Sequence, residues 1–391
     1  MKNRPEQVSR VRRLLSDHRV VGIIGARQVG KTTLAREIVK RYKGPTTVFD
    51  LENPDDLSRL SEPMLALGDL RGLAVIDEVQ HVPELFTVLR VLADRPRRPA
   101  RFLVLGSASP SLMRQSSESL AGRIAYHELE GFSIDEVGSR EMNQLWLRGG
   151  FPRSFLARTA RSSLEWRRAF IRTFLERDIP QLGIRIPAPT MRRFWSMLAH
   201  YHGQIWNASE FARSFGVGDT TVRRYLDLLE SVFMVRQLQP YHANLAKRQV
   251  KSPKVFLADT GLLHGLLDLP DIRSLEGHPK VGASWEWFAM NTVIRQLRAP
   301  REQCYFWATH AGAELDLLIV SGQHRWGVEF KRTTAPRVTR SMRTAIADLG
   351  LKRLDLIHAG TQSFPLSKQI NAVAFRRVRE DLRPPAGMRF L

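Results

Sequence analysis

The stretch IIGARQVGKT, residues 23–32, contains a complete G-x-x-x-x-G-K-[ST] loop made of Gly25, Ala26, Arg27, Gln28, Val29, Gly30, Lys31 and Thr32. Ahead of it, Val20 to Ile24 reads as a short buried strand; behind it, Thr33 to Tyr42 has helical spacing. Strand, loop and helix in that order form a phosphate cradle. The glycines let backbone N–H groups wrap a β-phosphate, and the helix N-terminus, Thr33 included, adds its dipole. Lys31 is then expected to reach the β- and γ-phosphates, and Thr32 to give its hydroxyl to Mg²⁺.

A second signal follows in LAVIDEVQ, residues 73–80, four apolar residues ending in two acids. Asp77 is expected in the Mg²⁺ shell, and Glu78, one step on, is expected to orient the attacking water. The next apolar run, RFLVLGSAS (101–109), places Ser107 beside Glu78 if the two strands are parallel neighbours, where it would sense a γ-phosphate. In SLAGRIAYHELEGFSIDEV (119–137), Arg123 on a glycine turn is a candidate arginine finger for a neighbouring subunit's nucleotide; an ordinary ion-pair arginine is the alternative. Asp50, Glu52 and Asp55 in FDLENPDD read as strand-end and capping acids.

Charge points to a polyanion. Sixty Lys and Arg against 39 Asp and Glu give a net +21, which favours nucleic acid, although a solvated basic face would carry the same charge. No apolar run approaches the ~18 to 20 residues that span a bilayer, and the start, MKNRPEQVSRVRRLL, lacks a signal-peptide core, so the chain is expected in the cytoplasm, away from membranes. The lone Cys304 has no partner for a disulfide.

At LWLRGGFPRSFL (145–156) the α/β alternation ends, and Gly149, Gly150 and Pro152 mark a hinge. Beyond it SSLEWRRAFIRTFLERDIPQLGI reads as an amphipathic connector with Leu164, Phe170, Ile171 and Phe174 inward and its charges solvated. A short helix (Ser209 to Phe215), a turn with Gly216 and Gly218, and a second helix opening at Asp219 and Thr220 make a helix-turn-helix, and Phe233 to Leu238 the first strand of a wing. Thr221, Arg223 and Arg224 stand where this motif contacts bases and phosphates; Lys247, Arg248, Lys251 and Lys254 follow and would track a backbone. A purely architectural winged helix is the alternative.

The back third carries carboxylates. In YFWATHAGAELDLLIVSGQHRWGVEFKRT, a hairpin loop at Ser321 to His324 pairs Val320 with Arg325 and sets Asp316 opposite Glu329, with Lys331 on the same face. Glu286, in the first turn of the helix read over residues 284–297, is placed to join them. Such a group would hold Mg²⁺ and activate a water against a phosphodiester; an ordinary cross-strand ion-pair network is the alternative. Asp259 and Thr260 in KVFLADTGLLHGLL read as a helix N-cap.

With GARQVGKTT, LAVIDEVQ, LGSAS, SLAGRI, RGGFPRSFL, FLADTGLL and AELDLLIV...GVEFKRT in this order, the chain resembles the prokaryotic P-loop ATPases of the AAA superfamily that join an ATPase domain to a winged helix and a restriction-endonuclease-like domain. The resemblance implies an α/β multidomain chain, with Lys31, Thr32, Asp77 and Glu78 as the working nucleotide residues, ATP and Mg²⁺ as cofactors, and more weight for Arg123. Its endonuclease motif opens here with Leu315 and Asp316 in place of the usual proline and aspartate, and no helical lid with a second sensor arginine stands out. The expected domains are an ATPase over 1–144, a hinge and helical connector over 145–190, a winged helix over 191–250 and the endonuclease-like domain over 251–391. The leading expectation is an ATP-driven switch or motor on DNA, acting as a homo-oligomer if hydrolysis needs a neighbour's arginine. The alternatives are an ATP-regulated Mg²⁺-dependent nuclease and a signalling ATPase with a protein partner.

Overall fold

The apolar run ahead of the glycine loop becomes β1 (Val20–Gly25), with all six residues buried. The computed structural model describes residues 2–96, 100–107, 120–181, 186–242, 250–388 and 390. The chain divides into one unit of Met1–Phe132, Gly150–Leu156 and Leu226–Met234, and a second of Ser133–Gly149, Ala157–Tyr225 and Val235–Leu391.

In the first unit, β2 (Thr46–Asp50), β3 (Gly72–Asp77), β4 (Ala100–Ser107) and β5 (Ile124–Glu128) join β1 in the order β2-β3-β4-β1-β5. All four pairings are parallel. A parallel sheet gathers the loops that follow its strands at one edge, which is where a ligand site is built. Helix Leu85–Asp94 presents Leu85, Phe86, Leu89 and Leu92 at helical spacing, and they share a buried cluster with Ala74 and Ile76 of β3 and Phe102 and Val104 of β4. Each such side chain contributes ~1.5 to 3 kcal/mol on burial, so this stripe fixes the helix to the sheet far more firmly than helix propensity does.

The second unit contains a sheet of nine strands. Its strands are β6 (Gln204–Ile205), β7 (Val235–Pro240), β8 (Lys254–Leu257), β9 (Cys304–Ala308), β10 (Glu314–Ser321), β11 (His324–Lys331), β12 (Leu354–His358), β13 (Phe364–Pro365) and β14 (Ile370–Ala374). They lie in the order β13-β14-β12-β11-β10-β9-β7-β8-β6, mixed in direction. Helix Arg340–Leu349 packs Met342, Ala345 and Leu349 against Trp307, Leu315, Leu318 and Leu354 of this sheet.

The helical part begins with Ala188–His200, then Ala208–Phe215, whose cap Asn207 accepts from the Glu210 N–H and whose end at Gly216 is left-handed (φ 64°). Gly216 stops that helix because it adopts this backbone without a Cβ penalty. Helix Asp219–Ser231 follows, its first half in this unit. Asp219 is already helical, and its carboxylate accepts the Ser209 hydroxyl at 2.8 Å, so it ties the two helices together. β7 and β8 then pair antiparallel, and β8 pairs with β6.

Two readings of charge change here. The connector forms helix Ala160–Thr173 with a π-helical turn, Phe174–Asp178, and Leu164, Phe170, Ile171 and Phe174 are buried as the spacing requires. Arg167, however, is not solvated: it is fully buried and donates to the Gly261 carbonyl at 2.9 Å. Burial pushes its guanidinium down to about 10, with Asp259 opposing the shift. Lys254 is likewise buried rather than presented to a phosphate backbone.

The chain crosses from the second unit to the first between Gly149 and Gly150, one of five crossings between the two units. Gly149 has φ 74°, and a Cβ there would lie 2.0 Å from Oδ1 of Asp259, the N-cap that accepts from the Leu262 N–H. Backbone conformation and space both demand glycine. Gly149→Ala is therefore expected to destabilise the protein by at least ~2 kcal/mol, read as a Tm several degrees lower; an unchanged Tm would contradict this packing.

Candidate nucleotide site and carboxylate cluster

The loop after β1 is held open by its own backbone. Gln28 (φ 62°) and Gly30 (φ 104°) are left-handed, and Gly30 leads directly into helix Lys31–Lys40. A Cβ on Gly25 would meet the Leu129 carbonyl oxygen at 2.3 Å, so the first glycine is fixed by the close approach of β5's continuation. Lys31 is buried, and its ammonium donates to the carbonyls of Gly25 and Ala26, both at 3.1 Å. Burial pushes its pKa down to about 8, against the pull of Glu78 and Asp77.

A cavity of about 550 Å³ opens over this loop. Arg27, Gln28, Val29, Gly30, Lys31, Thr32 and Thr33 line it, together with Glu78; Gly25, Ala26 and Asp77 are buried and do not. The two strand-end acids therefore have different surroundings. Asp77 is hydrogen bonded to the Thr32 side chain and accepts from the Glu78 N–H at 2.9 Å; burial raises its pKa above the ordinary carboxylate range. Glu78 borders the cavity with a left-handed backbone (φ 54°) and accepts from the Gln80 side-chain amide. Such a conformation in a residue with a Cβ costs of order 1 kcal/mol and is characteristic of functional positions.

Ser107 ends β4, and its backbone pairs with Gly25 at the same edge of the sheet. Arg123 lies at the other edge: it precedes β5, where Ile124 pairs with Val20. The strand between places it about 15 to 20 Å from the loop along the strand direction. It is exposed and bonded to Asp94 at 2.7 Å. From there it cannot serve the nucleotide site of its own chain.

Arg4 and Arg153 also line the cavity and were not singled out by the sequence. Arg4 is buried and donates to the Glu130 carbonyl at 2.9 Å. Arg153 stands one residue after Pro152, whose ring lies 3.9 Å from where a Gly30 Cβ would be. The only sequence signal for it was its place in RGGFPRSFL.

The observed cradle fits a nucleoside triphosphate: a buried ammonium beside the loop carbonyls, a strand-end carboxylate on the threonine hydroxyl, and a second carboxylate facing the same space. Because the free Lys31 amine keeps its proton below about 8, ATP affinity is expected to be flat below that pH and to fall as pH rises through it, by about tenfold at pH 9. The same shift makes folding stability rise from about pH 8 toward 10.5, where only the unfolded chain still holds that proton. Titration of a fluorescent nucleotide at pH 7 and pH 9 measures the first effect, and equal affinities would contradict it.

In the second unit Val320 pairs with Arg325 and Ser321 with His324, so the β10–β11 loop is only two residues long. Phe330 N–H donates to Asp316 at 3.0 Å, and Asp316 N–H donates to Glu329 at 3.3 Å. Lys331 Nζ lies 3.1 Å from Glu329, 3.8 Å from Asp316 and 3.9 Å from Glu286, the last on helix Val281–Leu297. Lys254, missed as a member of this cluster, pairs with Glu314 and lies 3.6 Å from Asp316. Burial and the neighbouring Asp316 raise the pKa of Glu286 and of Glu329, while Lys331 opposes both shifts. Burial works against both lysines' charges, but the carboxylates outweigh it and raise their pKa values.

The sequence expected Glu286, Asp316 and Glu329 to surround a metal ion. The structure closes them on two ammonium groups instead, and among the described residues no three His, Cys, Asp or Glu side chains are arranged to hold one.

Of the expected DNA contacts, Arg223, Arg224 and Lys251 are exposed and Thr221 is half-buried. Lys247 and Arg248 lie outside the described residues. Lys254 is withdrawn into the carboxylate cluster because Asp316 and Glu314 provide the charge its burial requires.

Loop and strand order define an AAA-type P-loop domain. An AAA domain model matches residues 17–138, a domain of unknown function (DUF8612) matches 139–273, and another (DUF4143) matches 281–378. Uncharacterized proteins of Mycobacterium tuberculosis and Mycobacterium bovis are each 52% identical over 370 residues, covering 95% of this chain and 83% of theirs. The chain belongs to the same family as these two mycobacterial proteins, and its residues 17–138 carry the AAA domain match. Among solved structures, the Walker-type ATPase of Pyrococcus abyssi aligns at 16% identity and TM-score 0.49, over 68% of this chain and 96% of its own. A Thermotoga maritima RuvB variant aligns at 17% identity and TM-score 0.30, over 60% of this chain and 89% of its own. No described helix is long and apolar enough to cross a membrane.

Proposed function

We propose that this chain hydrolyses ATP and uses the nucleotide state to drive a switch or motor on DNA. The observation that carries the ATPase part is the division of labour between two adjacent acids: Asp77 buried on Thr32, Glu78 held left-handed at the cavity wall. Lys31 leaves the Gly25 and Ala26 carbonyls to hold the β- and γ-phosphates. Thr32 and Asp77 would hold a Mg²⁺, which when bound would neutralise charge on the phosphate oxygens. Glu78 orients the attacking water and accepts its proton, with Gln80 fixing the carboxylate. Ser107 at the end of β4 senses the γ-phosphate, and Arg153 supplies a positive charge from the same chain. Arg123, at the far edge of the sheet, acts only across a subunit boundary, so hydrolysis that needs it requires an oligomer.

The DNA part rests on the net +21 and on the exposed Arg223, Arg224 and Lys251. Helices Ala208–Phe215 and Asp219–Ser231 with strands β7 and β8 form the proposed winged helix. DNA affinity is expected to change between the ATP-bound and nucleotide-free protein and to weaken steeply with salt. Anisotropy of labelled DNA in both states tests this, and affinity indifferent to both nucleotide and salt would overturn it.

A second reading, a metal-dependent nuclease, is favoured by the convergence of Asp316, Glu329, Lys331 and Glu286. We draw no step through a metal there, because Lys331 and Lys254 pair with these carboxylates. DNA cleavage with Mg²⁺ or Mn²⁺ that disappears in Asp316→Ala and Lys331→Ala while ATP turnover continues would establish it; uncut single-stranded, duplex and branched DNA would leave the cluster a structural one.

A further inference from the structure

The second unit holds a groove of about 870 Å³ apart from the carboxylate cluster. Tyr201 and Trp206 supply aromatic surface, and Arg223, Lys251 and His310 supply basic side chains; among the described residues that line it there is no Asp or Glu. The groove has a fixed frame. The Val250 N–H donates to the Ala308 carbonyl at 3.2 Å, which holds the segment carrying Lys251 beside β9. The Tyr201 hydroxyl donates to the Ile205 carbonyl at 2.9 Å, so its ring is held in place.

Trp206 is 3% exposed, and its indole N–H has no acceptor among the described residues. Two acids stand behind the lining, Glu210 bonded to Tyr201 and Asp219 to Ser209, and are engaged there. Aromatic surface with flanking cations is the chemistry that holds unpaired nucleotides: the ring stacks a base of any identity and the cations hold its phosphodiester. A concavity of this size admits a small-molecule-sized unit, not the girth of a duplex.

We propose that this groove binds an unpaired nucleotide of a DNA strand, with the base against Tyr201 and the phosphodiester held by Arg223 and Lys251. The inference rests on the DNA reading above and narrows it. Helix Asp219–Ser231 then contributes Arg223 to a single-strand site instead of presenting it to a major groove.

The test is anisotropy with a labelled oligonucleotide of about a dozen nucleotides and with its blunt duplex, at low and moderate salt. Wild type is compared with Arg223→Ala, Lys251→Ala and, outside the groove's lining, Arg224→Ala. All three positions are exposed, so folding is expected to survive, and thermal unfolding checks it. We expect the single strand to bind about tenfold tighter than the duplex, and Arg223→Ala and Lys251→Ala each to weaken it about fivefold or more. Arg224→Ala should change it less, and 2-aminopurine in the strand should be quenched on binding. Duplex bound as tightly as single strand, or equal losses in all three variants, would overturn the groove while leaving the DNA reading intact. Failure of both forms to bind at low salt would overturn the DNA reading itself.

Discussion

Glu78→Gln is expected to lower ATP turnover by about 10²- to 10⁴-fold while leaving ATP affinity within a few-fold of wild type. Glutamine has the same shape and the same backbone demands, so the left-handed turn at the end of β3 should persist, and only the ability to take a proton from water is lost. The neighbouring acid does not substitute, because Asp77 is buried on Thr32 and does not line the cavity. Glu78→Gly separates strain from chemistry. Releasing φ 54° from a residue with a Cβ should raise stability by about 1 kcal/mol while abolishing turnover. Wild-type turnover in Glu78→Gln would remove that glutamate from the mechanism.

Lys31→Ala is expected to weaken ATP binding by about 10²-fold or more. A hydrogen bond to a charged group contributes about 1.5 to 3 kcal/mol, and loss of contacts to two phosphates compounds it. Folding should be little affected by loss of the charge, since burial already pushes that ammonium down to about 8 and its present partners are only two loop carbonyls. Isothermal titration with ATP measures the first expectation and thermal unfolding the second. An affinity within twofold of wild type would mean that the loop does not hold phosphates.

The parts of this architecture that could be read from the sequence are those fixed by local rules. A loop that needs left-handed backbone advertises itself through glycines at a set spacing, and a buried parallel strand ending in acids is short and apolar, as in LAVIDEVQ. The register of β10 and β11 follows from side-chain alternation, which is why Asp316, Glu329 and Lys331 could be placed on one face before any coordinates. What could not be read depends on partners distant in sequence. Arg167 looks like a solvated charge until the carbonyls of Leu147 and Gly261 close around it. Lys254 looks like a phosphate contact until Glu314 and Asp316 arrive from another strand. Arg153 could not be placed at the nucleotide cavity because nothing local says that residues 150–156 return to the first unit.

In the proposed function, ATP hydrolysis at the Lys31–Glu78 site is coupled to DNA. Steady-state ATP turnover by the purified chain, with and without single-stranded, duplex and branched DNA at two salt concentrations, tests it most directly. Stimulation by DNA that fades as salt rises is expected, because the coupling runs through phosphate contacts. Turnover indifferent to every DNA at both salt concentrations would contradict it and assign the nucleotide switch to a protein partner.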